Sequence, residues 1–195
     1  MSRLPRSFDQ LVTLLQGRHA QIMEGRPDKG PGRFKTDANR AGSTLFVAPE
    51  LVGGTLAKGF EIYRGLTNPL HRAIFMMFLV LEVHPFADGN GRVARVMMNA
   101  ELVAAGECRI IVPTVYRNNY LMALKALSQN GITGALVRTL AFAQRYTAAV
   151  DFANLERARF ILDRTRAFAD PNEAEAAGIR LVLPTPEILA DTTQS

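Results

Sequence analysis

The stretch HPFADGNGR, residues 84–92, follows an apolar run that ends LVLEV and leads into VARVMMNAELVAAG, residues 93–106. Packing alone gives no reason for a histidine, a carboxylate, a Gly-Asn-Gly run and an arginine to share one short loop. Their chemistry is complementary. His84 lies where the preceding helix must end, which leaves an imidazole able to take a proton near neutral pH. Asp88 is a hard oxygen ligand suited to magnesium. Gly89, Asn90 and Gly91 can turn successive backbone N–H groups inward at a helix N-terminus, whose dipole favours negative charge. Arg92 and Arg95 stand three apart on that helix, share a face, and can each grip phosphate oxygens in bidentate fashion. A base, a cation ligand, an anion cradle and two cationic clamps are the equipment for attack by a hydroxyl on a nucleotide phosphate, where catalysis is mainly positioning and charge neutralisation.

Working outward, the loop joins two helical segments. Asn68-Pro69 is a helix start, and the apolar pattern runs from there to about Val83. Downstream, Val93, Val96, Met97, Ala100 and Leu102 supply the buried side of a helix closed by Gly106. Ser7 with Gln10 three residues later has the capping-box pattern, which predicts a first helix to about Glu24, and Pro49 opens another to about Tyr63. Between them, Pro, Gly and Asp punctuate two short runs, around Phe34 and over Thr44 to Val47, that can pair as a hairpin. Beyond a short β-branched run at RIIVP, three more segments carry helical period as far as Phe168. The fold class is therefore all-α: six to eight helices with one small hairpin. Residues 1–169 read as the domain, and from Asp170 the period is lost and an irregular C-terminal tail is expected.

The bulk properties agree. With 195 residues, 48% hydrophobic and 21% charged, the chain can bury the core of one domain. A net charge of +5 attracts anions, but the Lys and Arg are dispersed without a basic block, so a phosphate-bearing ligand or acidic partner is favoured over nucleic acid. The single cysteine, Cys108, makes an intramolecular disulfide impossible and suits a reducing compartment. The longest apolar run, AIFMMFLVL, is too short to span a membrane, and MSRLPRSFDQ lacks a secretory signal. A cytoplasmic protein is the expectation; an effector secreted by another machine would read the same.

HPFADGNGR followed by Arg95 resembles the signature loop of the Fic family, HPFx(D/E)GNGRxxR, at every defined position. The likeness extends to HAQIMEGRPDKGPGRFK, residues 19–35, which resembles the approach to that family's hairpin flap, and to YRNNYLMALKALSQNG, which is similar to the helix after the catalytic one. It covers about residues 8–145. The resemblance implies a Fic fold and a protein adenylyltransferase that moves AMP from Mg-ATP to a Tyr, Thr or Ser hydroxyl of a target protein. By the same resemblance His84 is the general base, and Asp88 holds Mg²⁺. Gly89, Asn90 and Gly91 cradle the transferred phosphate, while Arg92 and Arg95 take the outer phosphates. Pro85 and Phe86 anchor the loop. Thr44, Leu45, Phe46 and Val47 form the flap edge that aligns the target segment by backbone pairing. Tyr120 and Ser128 match positions beside the nucleotide base.

Alternatives that keep the fold are transfer of phosphocholine, UMP or phosphate, and a binding module without catalysis. The kinase branch of the family lacks the second glycine of the Gly-Asn-Gly run, so Gly91 argues against it. The family's inhibitory helix, (S/T)xxxE(G/N), has no full match: Glu24-Gly25 is preceded by Ala20 where a hydroxyl is needed, and Glu173 and Glu175 lack both partners. Either a separate inhibitory protein or an unrestrained enzyme follows from that.

Rival chemistries fit less well. Gly89, Gly91 and Ala94 also satisfy a dinucleotide-binding pattern, but the segment from Asn68 is too long for a strand and no strand–helix alternation follows. There is no HExxH, and His19 and His71 read as surface or core-edge residues. Asn99 stands where an EF-hand would need glutamate, and GGTLAKG is not a phosphate-binding P-loop.

Overall fold

The computed structural model describes residues 3–42 and 44–191. These residues form two compact units that divide after Glu107.

In the first unit, α1 (Phe8–Ile22) is followed by a 3₁₀ turn (Pro27–Lys29), the strands β1 (Arg40–Ala41) and β2 (Thr44–Leu45), a second 3₁₀ turn (Pro49–Leu51), α2 (Val52–Arg64), α3 (Pro69–Val83) and α4 (Asn90–Ala104). Ser7 caps α1 by accepting from the Gln10 N–H at 3.3 Å, while the Gln10 side chain accepts from the Arg6 N–H at 2.9 Å. Asn68 caps α3 by accepting from the His71 N–H at 3.0 Å, as the Asn-Pro signal predicts. The central pair is α3 against α4, flanked by α2 on α3 and α1 on α4. Leu11, Leu15, Leu56, Phe60, Met77, Val80, Met97 and Leu102 recur at helical spacing and fill the space between them. Gly59 lets α2 approach α3: a β-carbon there would sit 2.2 Å from Leu79 Cδ1.

The hairpin is real but shifted. Its register pairs Arg40 with Leu45 and Ala41 with Thr44, so Phe34 is not part of it. Phe34 instead tilts against Phe86 with ring centroids 5.3 Å apart, because an aromatic side chain here is worth more in the core than in an exposed strand. Among the described residues these are the only strands, so the dinucleotide-binding alternative has no sheet to rest on.

One buried charged group holds the helices together. Glu101 on α4, 2% exposed, accepts from Tyr63 Oη (2.7 Å) on α2 and from Arg72 Nε (3.1 Å) on α3. Arg72 also bonds the Tyr63 hydroxyl and lies over its ring. Burial, together with the Glu101 carboxylate, pushes the Tyr63 phenol well above its usual range, so it stays a donor. Glu101→Gln keeps the shape but replaces a charged acceptor by an amide whose N–H faces a donor. Urea denaturation is expected to show a loss of roughly 2 kcal/mol; an unchanged midpoint would mean that the carboxylate contributes nothing net.

The second unit contains a 3₁₀ turn (Thr114–Tyr116), α5 (Arg117–Asn130), α6 (Thr133–Ala148), α7 (Leu155–Arg164), α8 (Pro171–Ala176) and α9 (Pro186–Asp191). The run RIIVP is not a strand; the Ile111 N–H donates to Thr147 Oγ1 on α6 at 3.0 Å. The segment expected as an irregular tail carries α8 and α9, which brings the described helices to nine rather than six to eight. Its Ala174 and Leu181 join Tyr146, Val150, Ala158 and Ile161 in one apolar cluster. Asp170 caps α8 by accepting from the Asn172 and Glu173 N–H groups, the same start signal that opens α3, but in a helix of six residues too short to show a period.

Candidate active site

His84 ends α3 with φ 50 and ψ 57, a left-handed conformation that turns the chain sharply out of the helix. Its backbone N–H still donates to the Val80 carbonyl at 3.0 Å. Its Nδ1 lies 3.0 Å from the Leu81 carbonyl oxygen. A carbonyl can only accept, so this contact places the proton on Nδ1 and leaves the lone pair on Nε2. Burial pushes the imidazole below its usual value, opposed by the bond to Leu81, while Lys35 adds a push in the lowering direction. The ring is held from the flap side as well: Phe46 lies flat against it, centroids 3.7 Å apart and planes within 8°.

The loop after His84 is fastened from three directions. Asn90, 1% exposed, accepts from the Phe86 N–H at 2.9 Å and donates to the Phe86 carbonyl at 2.8 Å. Its side chain is therefore spent inside the loop, and only its backbone can face a ligand. Phe86 is fully buried and stacks on His19 at 3.8 Å, with planes 3° apart. His19 accepts the Gly32 N–H on Nδ1 at 2.9 Å, so its Nε2 carries the proton that meets the Asp88 carbonyl at 3.1 Å. This histidine, expected near the surface or core edge, is a fully buried brace, because both ring nitrogens find backbone partners there. His71 is exposed.

The base of the flap supplies the third anchor, one that sequence reasoning missed. Lys35 donates its backbone N–H to the Pro85 carbonyl (2.8 Å) and its Nζ to Asn39 Oδ1 (2.7 Å). Asn39 in turn donates to the Phe86 carbonyl at 2.9 Å. Lys35 and Asn39 stand four residues apart among turn-forming residues, and that spacing is the only sequence signal they give.

Gly89 precedes α4 with φ 76, and a β-carbon there would lie 2.8 Å from the sulfur of buried Met23. Both the backbone and the space demand glycine. The next two amides, of Asn90 and Gly91, open α4 and have no preceding helical carbonyl to bond, whereas the Arg92 and Val93 N–H groups donate to the Gly89 carbonyl at 3.0 Å. Two leading amides without a helical acceptor, at the positive end of the helix dipole, suit an anion. Arg92 and Arg95 project from the exposed face of this first turn, with Arg95 Nη1 3.5 Å from where a Gly91 β-carbon would be. Asp88 is half-exposed; one oxygen accepts the Gly89 N–H at 2.6 Å and the other is 3.7 Å from Arg92. Among the described residues no group of three or more His, Cys, Asp or Glu gathers to hold a metal ion. A lone carboxylate beside an anion cradle fits magnesium, which keeps few protein ligands and takes the rest from phosphates and water.

The structure thus brings His84, Asp88, Gly89, Asn90, Gly91, Arg92 and Arg95 together in one turn, with Phe46 over the histidine. Thr44 and Leu45 form β2, and Leu45 is 73% exposed; Val47 is half-buried just beyond. Tyr120 and Ser128 are on α5 in the second unit, Tyr120 buried and Ser128 exposed.

Burial holds both His19 and His84 below the ordinary histidine value of 6.5. The unfolded chain therefore takes up protons at a pH where the folded chain does not. The resulting stability is fully present above about pH 6.5 and is lost as pH falls through the lowered folded values. The urea midpoint is expected to drop between about pH 7.5 and about pH 5.5, and to drop less in His19→Gln.

A left-handed histidine closes one helix, free amides open the next, and Phe46, just past the hairpin, stacks on the histidine. Residues 10–102, just under half of the chain, match the Fic/DOC family. Protein adenylyltransferase Fic of Drosophila yakuba is 38% identical over 65 residues, which are 33% of this chain and 13% of that protein. Protein adenylyltransferase fic-1 of Caenorhabditis briggsae is 29% identical over 122 residues, 60% of this chain and 23% of that one. The chain thus spans less than a quarter of these relatives. Among solved structures, Fic-1 from C. elegans superposes with a TM-score of 0.58 and 26% identity over 71% of this chain and 40% of that one. A Fic family protein from Desulfovibrio desulfuricans G20 gives 0.57 and 20% identity over 85% and 56%; its likeness concerns the fold alone.

Proposed function

We propose that the domain is a protein adenylyltransferase that moves AMP from Mg-ATP to a Tyr, Thr or Ser hydroxyl of a target protein. The observation that carries the reading is the Nδ1 contact of His84 with the Leu81 carbonyl, which leaves Nε2 as a neutral base at the mouth of an anion nest. The relatives named as protein adenylyltransferases support it.

In this mechanism the exposed edge of β2 pairs with an extended target segment and brings its hydroxyl to His84. Nε2 takes the hydroxyl proton as the oxygen bonds to the α-phosphorus of ATP. The bond from that phosphorus to the bridging oxygen breaks, and pyrophosphate leaves. Negative charge on the non-bridging oxygens faces the Asn90 and Gly91 amides, and Arg92 and Arg95 hold the outer phosphates. Asp88 would hold magnesium, which when bound neutralises phosphate charge.

The test uses the full chain, a lysate of candidate targets, and ATP labelled in parallel at the α- and γ-phosphates. Protein labelled from the α-position alone, with mass spectrometry placing an adenylyl group on a hydroxyl side chain, is the expected result. Label from the γ-position would replace the reading by phosphate transfer. No label from either would leave a binding module.

A further inference from the structure

At the far end of α3 and α4 from the histidine loop lies a cleft of about 890 Å³. It touches α3 at Arg72, in the helix's first turn, and α4 at its last residue, Ala104. Arg72 and His84 are separated by most of α3, roughly 18 Å at 1.5 Å per residue, so the cleft is distinct from the site described above.

Arg3, Arg6, Arg64 and Arg72 line it, and none of its lining residues is acidic. Arg72 has its counter-charge in buried Glu101. Arg3, Arg6 and Arg64 form no ion pair with a described residue. Three uncompensated guanidinium groups in one concavity are a large share of a net charge of +5. Their summed positive charge raises the local potential and attracts anions.

The arginines ride on a built wall. Arg18, buried, donates to the Arg3 carbonyl at 2.9 Å, and the Arg6 N–H donates to Gln10 Oε1 at 2.9 Å. Pro5 between them is buried. Arg64 ends α2, so its backbone is equally fixed. Leu4 and Leu14 add apolar surface beside the charges.

We propose that this cleft is a second anion site, for a small molecule bearing two or more phosphate groups. Guanidinium forks match phosphate oxygens in pairs, and several forks on one wall favour a ligand with several phosphates over a single one. The volume is that of a small-molecule site. The inference does not rest on the proposed adenylyl transfer.

Calorimetric titration of the full chain tests it, with tripolyphosphate and inorganic phosphate as probes. The background is Arg92→Ala/Arg95→Ala, which weakens anion binding at the histidine loop. Tripolyphosphate is expected to bind this background at least tenfold more tightly than phosphate. Adding Arg3→Ala, Arg6→Ala and Arg64→Ala is expected to weaken it at least tenfold. Arg64→Glu alone, an exposed change at a helix end, is expected to give a comparable loss should the multiple variant fail to fold. No tripolyphosphate binding in the background, or binding that survives Arg64→Glu and the arginine deletions unchanged, overturns the proposal. Comparing ADP with pyrophosphate in the same background separates the sources: tighter ADP binding assigns the Leu4 and Leu14 surface to a nucleotide, and equal binding assigns the site to polyphosphate alone.

Discussion

Replacing His84 by alanine is expected to slow AMP transfer by roughly 10²–10⁴-fold, the span that a positioned general base contributes. Two features fit the ring to the proposed role of base rather than of binding group. The Leu81 carbonyl claims Nδ1–H, so Nε2 has a lone pair to offer. Burial, with Lys35 nearby, keeps the imidazole neutral at a pH where an ordinary histidine begins to charge. Neither feature touches the amides or arginines proposed to hold the nucleotide. The Kd for ATP should therefore change little while the rate falls, which separates loss of a base from loss of a binding site.

Alanine at this position carries a second effect, because φ 50 is costly for it by about 1 kcal/mol or more. His84→Asn controls for this, since asparagine tolerates the left-handed region and lacks a base of useful pKa. Both variants should be equally inactive while differing in thermal midpoint. Activity that returns with asparagine would point to loop shape rather than proton transfer. In the unaltered chain, kcat/KM should fall on the acid side with an apparent pKa below 6.5, because protonation removes the lone pair and burial delays it.

Much of this was legible in the residues, and the exceptions have a common cause. The limits of α3 follow from Asn68-Pro69 and from a loop that cannot continue a helix, both of which are local signals. The base, the amide nest and the arginine face all lie within a few residues of one another, so their geometry is set by helix-end rules alone. The hairpin register was less accessible, because Phe34 has a choice between strand and core that only Phe86, far along the chain, decides. His19 is the extreme case. Its burial depends on Gly32 and Asp88 offering backbone partners to opposite ring nitrogens, and no periodicity in α1 records that. Lys35 and Asn39 are similar: their partners Val83, Pro85 and Phe86 are about fifty residues away. Local rules account for where the candidate base, amides and arginines lie, while the braces around them come from long-range contacts.

Asn90 joins these two levels, and Asn90→Ala is expected to destabilise the domain by roughly 2–4 kcal/mol while also abolishing transfer. Its position in the Gly-Asn-Gly run suggests a phosphate ligand, yet its amide copies a backbone partner for Phe86. Without it the buried Phe86 N–H has lost its acceptor, which costs about 1–3 kcal/mol, and a small void adds to that. The Phe86 carbonyl fares better, because Asn39 still donates to it. Asn90→Asp makes the argument sharper. One carboxylate oxygen can still accept from the Phe86 N–H, but the other would face the Phe86 carbonyl, and two acceptors repel. Aspartate is isosteric, and its charge at a helix N-terminus is otherwise favourable. A purely electrostatic role at the nest therefore predicts a stable variant with weakened ATP binding. The brace predicts a lower urea midpoint in the nucleotide-free protein. Measuring that midpoint without ATP decides between them, and an Asn90→Asp domain as stable as the original would return Asn90 to the role of ligand.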